Sequence, residues 1–251
     1  MVTTRISPHD INYLNHFFKY YSDLGVSMFL INFNSKLHPE DELNNFINHV
    51  VTTYDKYNLV YNVGPNGGTH SEIKNINMLK KLVNENTNDN DYILPCDSDE
   101  FHEFEFNLEK CVDLLNLHKH DFIQSFTHER YSSDGIIREI KNDINIFTQF
   151  DAYSFKLYNM PKISLIKQKH YEKLGVGHHY PNLTNSENDF NGLNVSFIHS
   201  RTNHFRWCID GKIRMEKWIE FWKMYPNCGG WKGTSKYTEQ LKIFDDILKY
   251  V

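Results

Sequence analysis

Cysteine is scarce in this chain and never closely paired. Cys96, Cys111, Cys208 and Cys228 stand far apart and form no C-x-x-C motif, which argues against a disulfide framework or a zinc ribbon and for a reducing compartment. Proline is also scarce, at seven residues, while aromatics reach 15% and hydrophobic residues 40%. That balance excludes a disordered chain and calls for a packed core. No apolar run approaches the roughly 20 residues that a bilayer-spanning helix requires. The N-terminus lacks the basic-then-apolar pattern of a secretory signal. Nor is there a surplus of positive charge: the formal net charge is −5, so no broad basic field exists to hold nucleic acid. A soluble cytoplasmic protein is expected, with peripheral attachment to a membrane left open.

Against that background one stretch stands out. Tyr92-Ile93-Leu94-Pro95-Cys96 is an apolar run, and it ends in Asp97-Ser98-Asp99-Glu100 before Phe101. Such runs fit buried strands, and parallel strands present ligands at their carboxyl ends. If the chain stays extended, Asp97 and Asp99 project to the same side. Carboxylates held that close repel each other unless a cation lies between them. Hard oxygen donors suit Mg²⁺ or Mn²⁺, ions that keep positions open for phosphate oxygens. The plain alternative is an acidic turn after a strand, since Asp and Ser are common turn formers.

The first hundred residues alternate strand and helix. Val2 to Ile6 reads as a strand, and Ser7-Pro8-His9-Asp10 as a helix start, with Ser7 as N-cap, Pro8 at the first helical position and Asp10 closing the box. Ile11, Leu14, Phe18, Tyr21 and Leu24 continue at helical spacing to Gly25, which is placed to end the helix. Strands follow at Val26 to Phe33, Leu59 to Val63 and Tyr92 to Cys96, with helices opened by Pro39 and at Ser71 to Asn84. This order specifies an α/β fold with a mostly parallel central sheet flanked by helices. Further on, Leu108 to Leu117 reads as a helix. Strands are expected at Phe122 to Phe126, Ile144 to Phe147, Tyr153 to Leu157, Ile163 to Ile166 and Val195 to His199, and the tail is helical. With no repeat and no linker, residues 1–251 are expected to form one domain: a ligand-binding half at 1–101, a second half at 102–200 and a helical extension at 201–251.

Among fourteen histidines, two groups draw notice. His199 ends an apolar strand and is a candidate third ligand beside Asp97 and Asp99; the competing role is a buried His bonded to a carbonyl. Gly177-His178-His179 lies in a Gly-flanked loop, where adjacent side chains diverge too far for both to hold one ion. Arg201, Arg206, Lys212 and Arg214 follow His199 and are candidates to neutralise a diphosphate; a solvated helix face is the alternative. Lys74 is a weaker candidate of the same kind. Gly64 to Gly68 lacks P-loop spacing and reads as a turn bordering a pocket.

The order of these features resembles the GT-A fold glycosyltransferases, close to the family 2 and family 92-like enzymes. The resemblance rests on Pro8-His9-Asp10 with Tyr13-Leu14, on Tyr20-Tyr21 and Leu24-Gly25, on Asn32-Phe33-Asn34-Ser35, on the D-x-D-E-F element ending at Phe101, on Gly177-His178-His179 and on His199-Ser200-Arg201. It covers about residues 3 to 215, and only D-x-D-E-F is fairly specific. It implies transfer of a sugar from a nucleotide-diphosphate donor, a UDP-sugar first, to an acceptor hydroxyl on a glycan or glycolipid, with Mn²⁺ or Mg²⁺. Asp97 would lie near the ribose and the metal, Asp99 on the metal, and His199 on the metal ahead of His179. His9, Asp10 and Asn34 would line the base end, with Lys74 and Arg201 toward the donor. The family often has Asn-Glu in place of His9-Asp10 and an aromatic in place of Ser200. Inverting transfer also needs a general base, for which Asp189 is the candidate by chain order, with Asp151 and Asp134 as rivals. Two other functions compete: a phosphatase of the haloacid dehalogenase type, which Glu100 disfavours, and a non-catalytic nucleotide-sugar-binding module.

Overall fold

A computed structural model describes residues 1–34, 38–64, 72–154, 161–174, 192–224 and 231–250. Strand β1 (Val2–Ile6) leads through a 3-10 turn at Pro8–Asp10 into helix α1 (Ile11–Asp23). Ser7 and Asp10 close that entry as the sequence suggests, with Ser7 N–H donating to Asp10 Oδ2 at 2.7 Å. At the other end Gly25 takes φ +97, a backbone conformation that glycine adopts without Cβ strain. Then come β2 (Phe29–Phe33), α2 (Glu40–Thr53), β3 (Leu59–Val63), α3 (Glu72–Asn86) and β4 (Tyr92–Pro95). These four strands lie side by side in the order β3-β2-β1-β4, all parallel. Their carboxyl ends therefore share one edge, where Ser7, Asn34 and Asp97 emerge.

The second half differs from the expected parallel pattern. After β4 the chain turns at once into β5 (Glu100–Phe104), followed by α4 (Leu108–Leu117) and β6 (Phe122–Tyr131). A short helix α5 (Ile146–Gln149) replaces the strand expected at Ile144 to Phe147, because Asn145 caps it by accepting from Phe147 N–H at 2.9 Å. β7 (Ala152–Ser154), β8 (Pro161–Lys167) and β9 (Ser200–His204) complete the sheet, and α6 (Ile209–Met224) and α7 (Trp231–Asp245) follow. Among the described residues the order continues β4-β8-β6-β9-β5, with β7 on β6. Four strand pairings are parallel and four antiparallel. The sheet is thus mixed, not mostly parallel.

β5 is last in this order, yet it starts directly after β4. The sheet must curl to bring its edge back, and His102 Nε2 bridges the gap by donating to the Pro95 carbonyl at 3.0 Å. With that nitrogen donating, Nδ1 accepts from Thr202 Oγ1 at 2.9 Å, and Ser125 Oγ then donates to Thr202 at 2.6 Å. Burial first of all lowers the His102 pKa to about 4, consistent with a neutral ring. Deeper in the same curl, buried Lys162 of β8 pairs with buried Glu100 and lies 3.8 Å from Asp97. Outside the curl the contacts are apolar: α1 buries Tyr13, Leu14, Phe17, Phe18 and Tyr21, and Phe101 packs edge-on against Phe17, Tyr20, Phe147 and Phe205. A smaller cluster of Tyr131, Trp207, Met215, Phe244 and Ile247 joins β6 to the C-terminal helices.

Removing one member of a buried ion pair strands the other charge, at a cost of about 3–5 kcal/mol. Lys162→Met is expected to lose about that much stability in urea unfolding, and Glu100→Gln added to it should recover most of the loss.

Candidate functional site

The acidic stretch is a turn. Glu100 N–H donates to the Asp97 carbonyl at 3.0 Å, so the chain is not extended there, and Asp97 and Asp99 diverge. Asp97 is 29% exposed and lies 3.5 Å from Arg5 Nη2 as well as near Lys162. Asp99 is 2% exposed and turns inward, onto His204 Nε2 at 3.2 Å and Arg214 Nη2. The like-charge repulsion anticipated from sequence is met by the protein's own cations.

His204 is the residue that sequence reasoning missed. β5 and β9 run antiparallel with Glu100 opposite His204 and Phe104 opposite Ser200. His199 therefore precedes the strand, and His204 ends it beside the acidic turn. Five residues of strand amount to about 16 Å, so the structure does not bring His199 to the carboxylates. His199 is exposed, and its carbonyl accepts from Glu105 N–H at 3.1 Å. On the other side of His204, Nδ1 donates to Glu129 Oε1 at 2.8 Å, and Glu129 is fully buried. Burial alone would lower the His204 pKa; Glu129 and Asp99 outweigh it, against Arg206, and raise it to about 9. Burial likewise pushes the Asp99 carboxyl upward, but Arg214 and then His204 hold it well below the usual range.

Asp10 belongs to the same network. Its Oδ1 accepts from Ser98 Oγ at 2.8 Å and faces Arg214 Nη1 at 3.3 Å, while Oδ2 accepts from the Ser7 hydroxyl at 2.8 Å. Burial raises its pKa, and Arg214 opposes that shift. His9 projects beside it, its ring 4.3 Å from that of His38, with Nε2 buried and lacking a hydrogen-bond partner among the described residues. Burial, then the positive field of His38, Lys217 and Arg214, pushes the His9 pKa down to about 3. Asn34, at the end of β2, donates its N–H to the Ile6 carbonyl at 2.8 Å. His9, Asp10, Asn34, Asp97 and Asp99 thus share one edge of the sheet.

Other candidates lie elsewhere. Arg201 faces outward on β9 and pairs with Glu103 at 3.2 Å; being an odd number of positions from His204, it projects from the opposite face. Lys74 is exposed on α3. Asp151 accepts from Ser133 N–H and Oγ, both at 2.9 Å, and Asp134 pairs with Arg138. Asp189, His178 and His179 lie outside the described residues. Two surface cavities of about 250 and 280 Å³ share His16, Lys19 and Asn142 and are not lined by the acidic turn.

Among the described residues, no three His, Cys, Asp or Glu side chains form a group able to hold a metal ion. The turn offers a carboxylate, Asp99, and beside it the imidazole of His204, whose Nε2 would become a second donor on loss of its proton. Their 3.2 Å separation is close to the ~3 Å edge of an octahedron with metal–ligand distances of about 2.1 Å. A buried carboxylate on the far nitrogen of the imidazole is also how metal-binding histidines are commonly oriented. No helix in the described residues is long and apolar enough to cross a membrane.

No family model matches the chain, and no curated protein does. Among solved structures, the crystal structure of HddC from Yersinia pseudotuberculosis aligns over 80% of this chain and 89% of its own, at 11% identity and a TM-score of 0.41. That likeness is too slight to carry a functional conclusion.

Because the folded pKa of His204 is raised from 6.5 to about 9, its stabilisation is complete below about pH 6.5 and is lost as pH rises through about 9. Metal-free protein is expected to lose melting temperature across that window, and His204→Gln should flatten the loss.

Proposed function

We propose that the chain is a metal-dependent glycosyltransferase that moves a sugar from a nucleotide-diphosphate donor to an acceptor hydroxyl on a glycan or glycolipid. The observation that carries the reading is the pairing of Asp99 with a histidine held by a buried glutamate, at the carboxyl edge of the parallel strands. Ligands of open α/β sheets bind at that edge, and Mg²⁺ or Mn²⁺ is typically held by one or two protein groups plus substrate phosphates. In this reading Asp99 and His204 hold the ion, and Asp97 lies beside the donor. Glu129 orients the imidazole. His9, Asp10 and Asn34 border the nucleotide. A bound divalent ion would supply Lewis-acid stabilisation of the departing diphosphate. The chain's own Arg5 and Lys162 fix Asp97, Arg214 adds positive charge at the same place, and Asp189 is the proposed acceptor base.

Thermal-shift titration with UDP-, GDP- and CMP-sugars, each with and without Mn²⁺, tests the reading. A metal-dependent rise with one donor is expected, since binding to the folded state alone raises stability. Stabilisation without turnover on any acceptor would favour the non-catalytic module, and hydrolysis of simple phosphate esters without a nucleotide-sugar would favour the phosphatase. In Asp99→Asn, folded by circular dichroism, transfer should fall at least about 10²-fold. Glu129→Gln should weaken Mn²⁺ binding about 10–100-fold through the orientation of His204; unchanged affinity would remove Glu129 from the site.

A further inference from the structure

Arg214 occupies the position that a cation bound to Asp99 would need. Its Nη2 bonds Asp99 Oδ2, the same oxygen that faces His204 Nε2 at 3.2 Å, and its Nη1 lies 3.3 Å from Asp10 Oδ1. The guanidinium thus neutralises the carboxylate on which the proposed metal site depends. A divalent ion arriving alone meets the Arg214 guanidinium seated on Asp99 Oδ2, and like charges a few ångströms apart repel strongly where water is sparse. A nucleoside diphosphate changes the balance, because guanidinium binds phosphate oxygens through two parallel hydrogen bonds.

Three features make such an exchange feasible. Arg214 is on α6, outside the sheet, and its side chain is 20% exposed, whereas Asp99 is 2% exposed. Both of its carboxylates keep other partners if it leaves: Asp10 retains Ser7 and Ser98, and Asp99 retains His204. The third is charge: Lys217, on the same helix, adds its positive field to that of Arg214 at the neighbouring His9.

We propose that Arg214 is an internal counter-ion that closes the Asp99–His204 pair to a divalent ion until a nucleoside diphosphate takes over its guanidinium, so that ion and nucleotide bind as a coupled pair. This rests on the sugar-transferase reading of the site, but it concerns the order and coupling of binding. By linkage, each ligand must tighten the other by the same factor.

Mn²⁺ binding to the full chain, followed by electron paramagnetic resonance with and without UDP, GDP or CDP, tests the proposal. Wild-type protein should bind Mn²⁺ at least about tenfold more tightly when the matching nucleotide is present. Arg214→Met should bind Mn²⁺ alone at least about tenfold more tightly than wild type and lose most of the coupling. Arg214→Lys keeps the charge but cannot bridge two carboxylates, so it should fall between; it carries the test if Arg214→Met does not fold. Equal Mn²⁺ affinity of wild type with and without nucleotide would overturn the coupling. Coupled wild type with unchanged or weaker Mn²⁺ binding in the folded variants would overturn the role of Arg214 alone. No Mn²⁺ binding to any of these proteins, under any condition, would overturn the metal reading and the proposal together.

Discussion

The arrangement around Asp99 is the constraint on which the rest of the site depends. A carboxylate 2% exposed is tolerable only if charge and hydrogen bonds compensate its desolvation. Its compensation comes from distant parts of the chain: His204 ends β9, Arg214 lies on α6, and Glu129 on β6 holds His204 from behind. Asp10, just after β1, takes the other arm of Arg214. The network therefore fixes the relative positions of β1, the β4–β5 turn, β6, β9 and α6 at one edge of the sheet. Five carboxylates (Asp10, Asp97, Asp99, Glu100 and Glu129) meet four cationic groups (Arg5, Lys162, His204 and Arg214). Near-neutrality of this kind lets the charges be buried at all.

The curled half of the sheet explains why such a network forms there and not in the parallel half. β2 is buried along its whole length and wholly apolar but for Asn32. β6 alternates differently: Ser125, Thr127 and Glu129 are buried, while Phe126 on the other face is 51% exposed. β9 places Thr202 and His204 inward with them, and β5 adds Glu100 and His102. The interior of the curl is thus polar and hydrogen-bonded from His102 through Thr202 to Ser125, while Glu129 Oε2 has no hydrogen-bond partner among the described residues. Connected polar networks of this sort favour a single geometry, because a slip of register leaves more buried groups unpaired. Precision around Asp99 follows from that rigidity.

This polar interior also marks the limit of what was legible in the sequence. The parallel half could be read, because its signals are local: Ser7-Pro8-His9-Asp10 opens a helix, Gly25 closes it, and apolar runs give β1 to β4. The acidic stretch could be picked out as a candidate site for the same reason, since an apolar strand runs straight into it. β5 and β9 could not, because Glu-Phe-His-Glu-Phe and Ser-Arg-Thr-Asn-His pair with each other across about a hundred positions and bury their polar residues largely against such distant partners. The apolar pattern instead favoured Val195 to His199 as the strand and so pointed to His199, whereas the fold brings His204 to Asp99. Val195 makes only a single isolated bridge, to Phe122. One signal was present. His204 is the last histidine before α6, and a β-to-α connection places such a residue at the carboxyl edge of the sheet.

Charge balance, finally, bears on what the site can accept. With its carboxylates compensated internally, the edge offers no strong attraction to a lone cation, although the chain as a whole carries −5. A ligand that brings both signs, an anionic diphosphate with its own divalent ion, adds little net charge and gives each internal pair a substitute partner. Arg214 can exchange a carboxylate for phosphate oxygens, and Asp99 can exchange a guanidinium for the ion, with neither charge left bare in the buried edge. A neutral or singly charged ligand permits no such exchange, and it would have to break these pairs without replacing them. Under the proposed reading of the site, a metal-bound diphosphate therefore suits this edge better than either component alone.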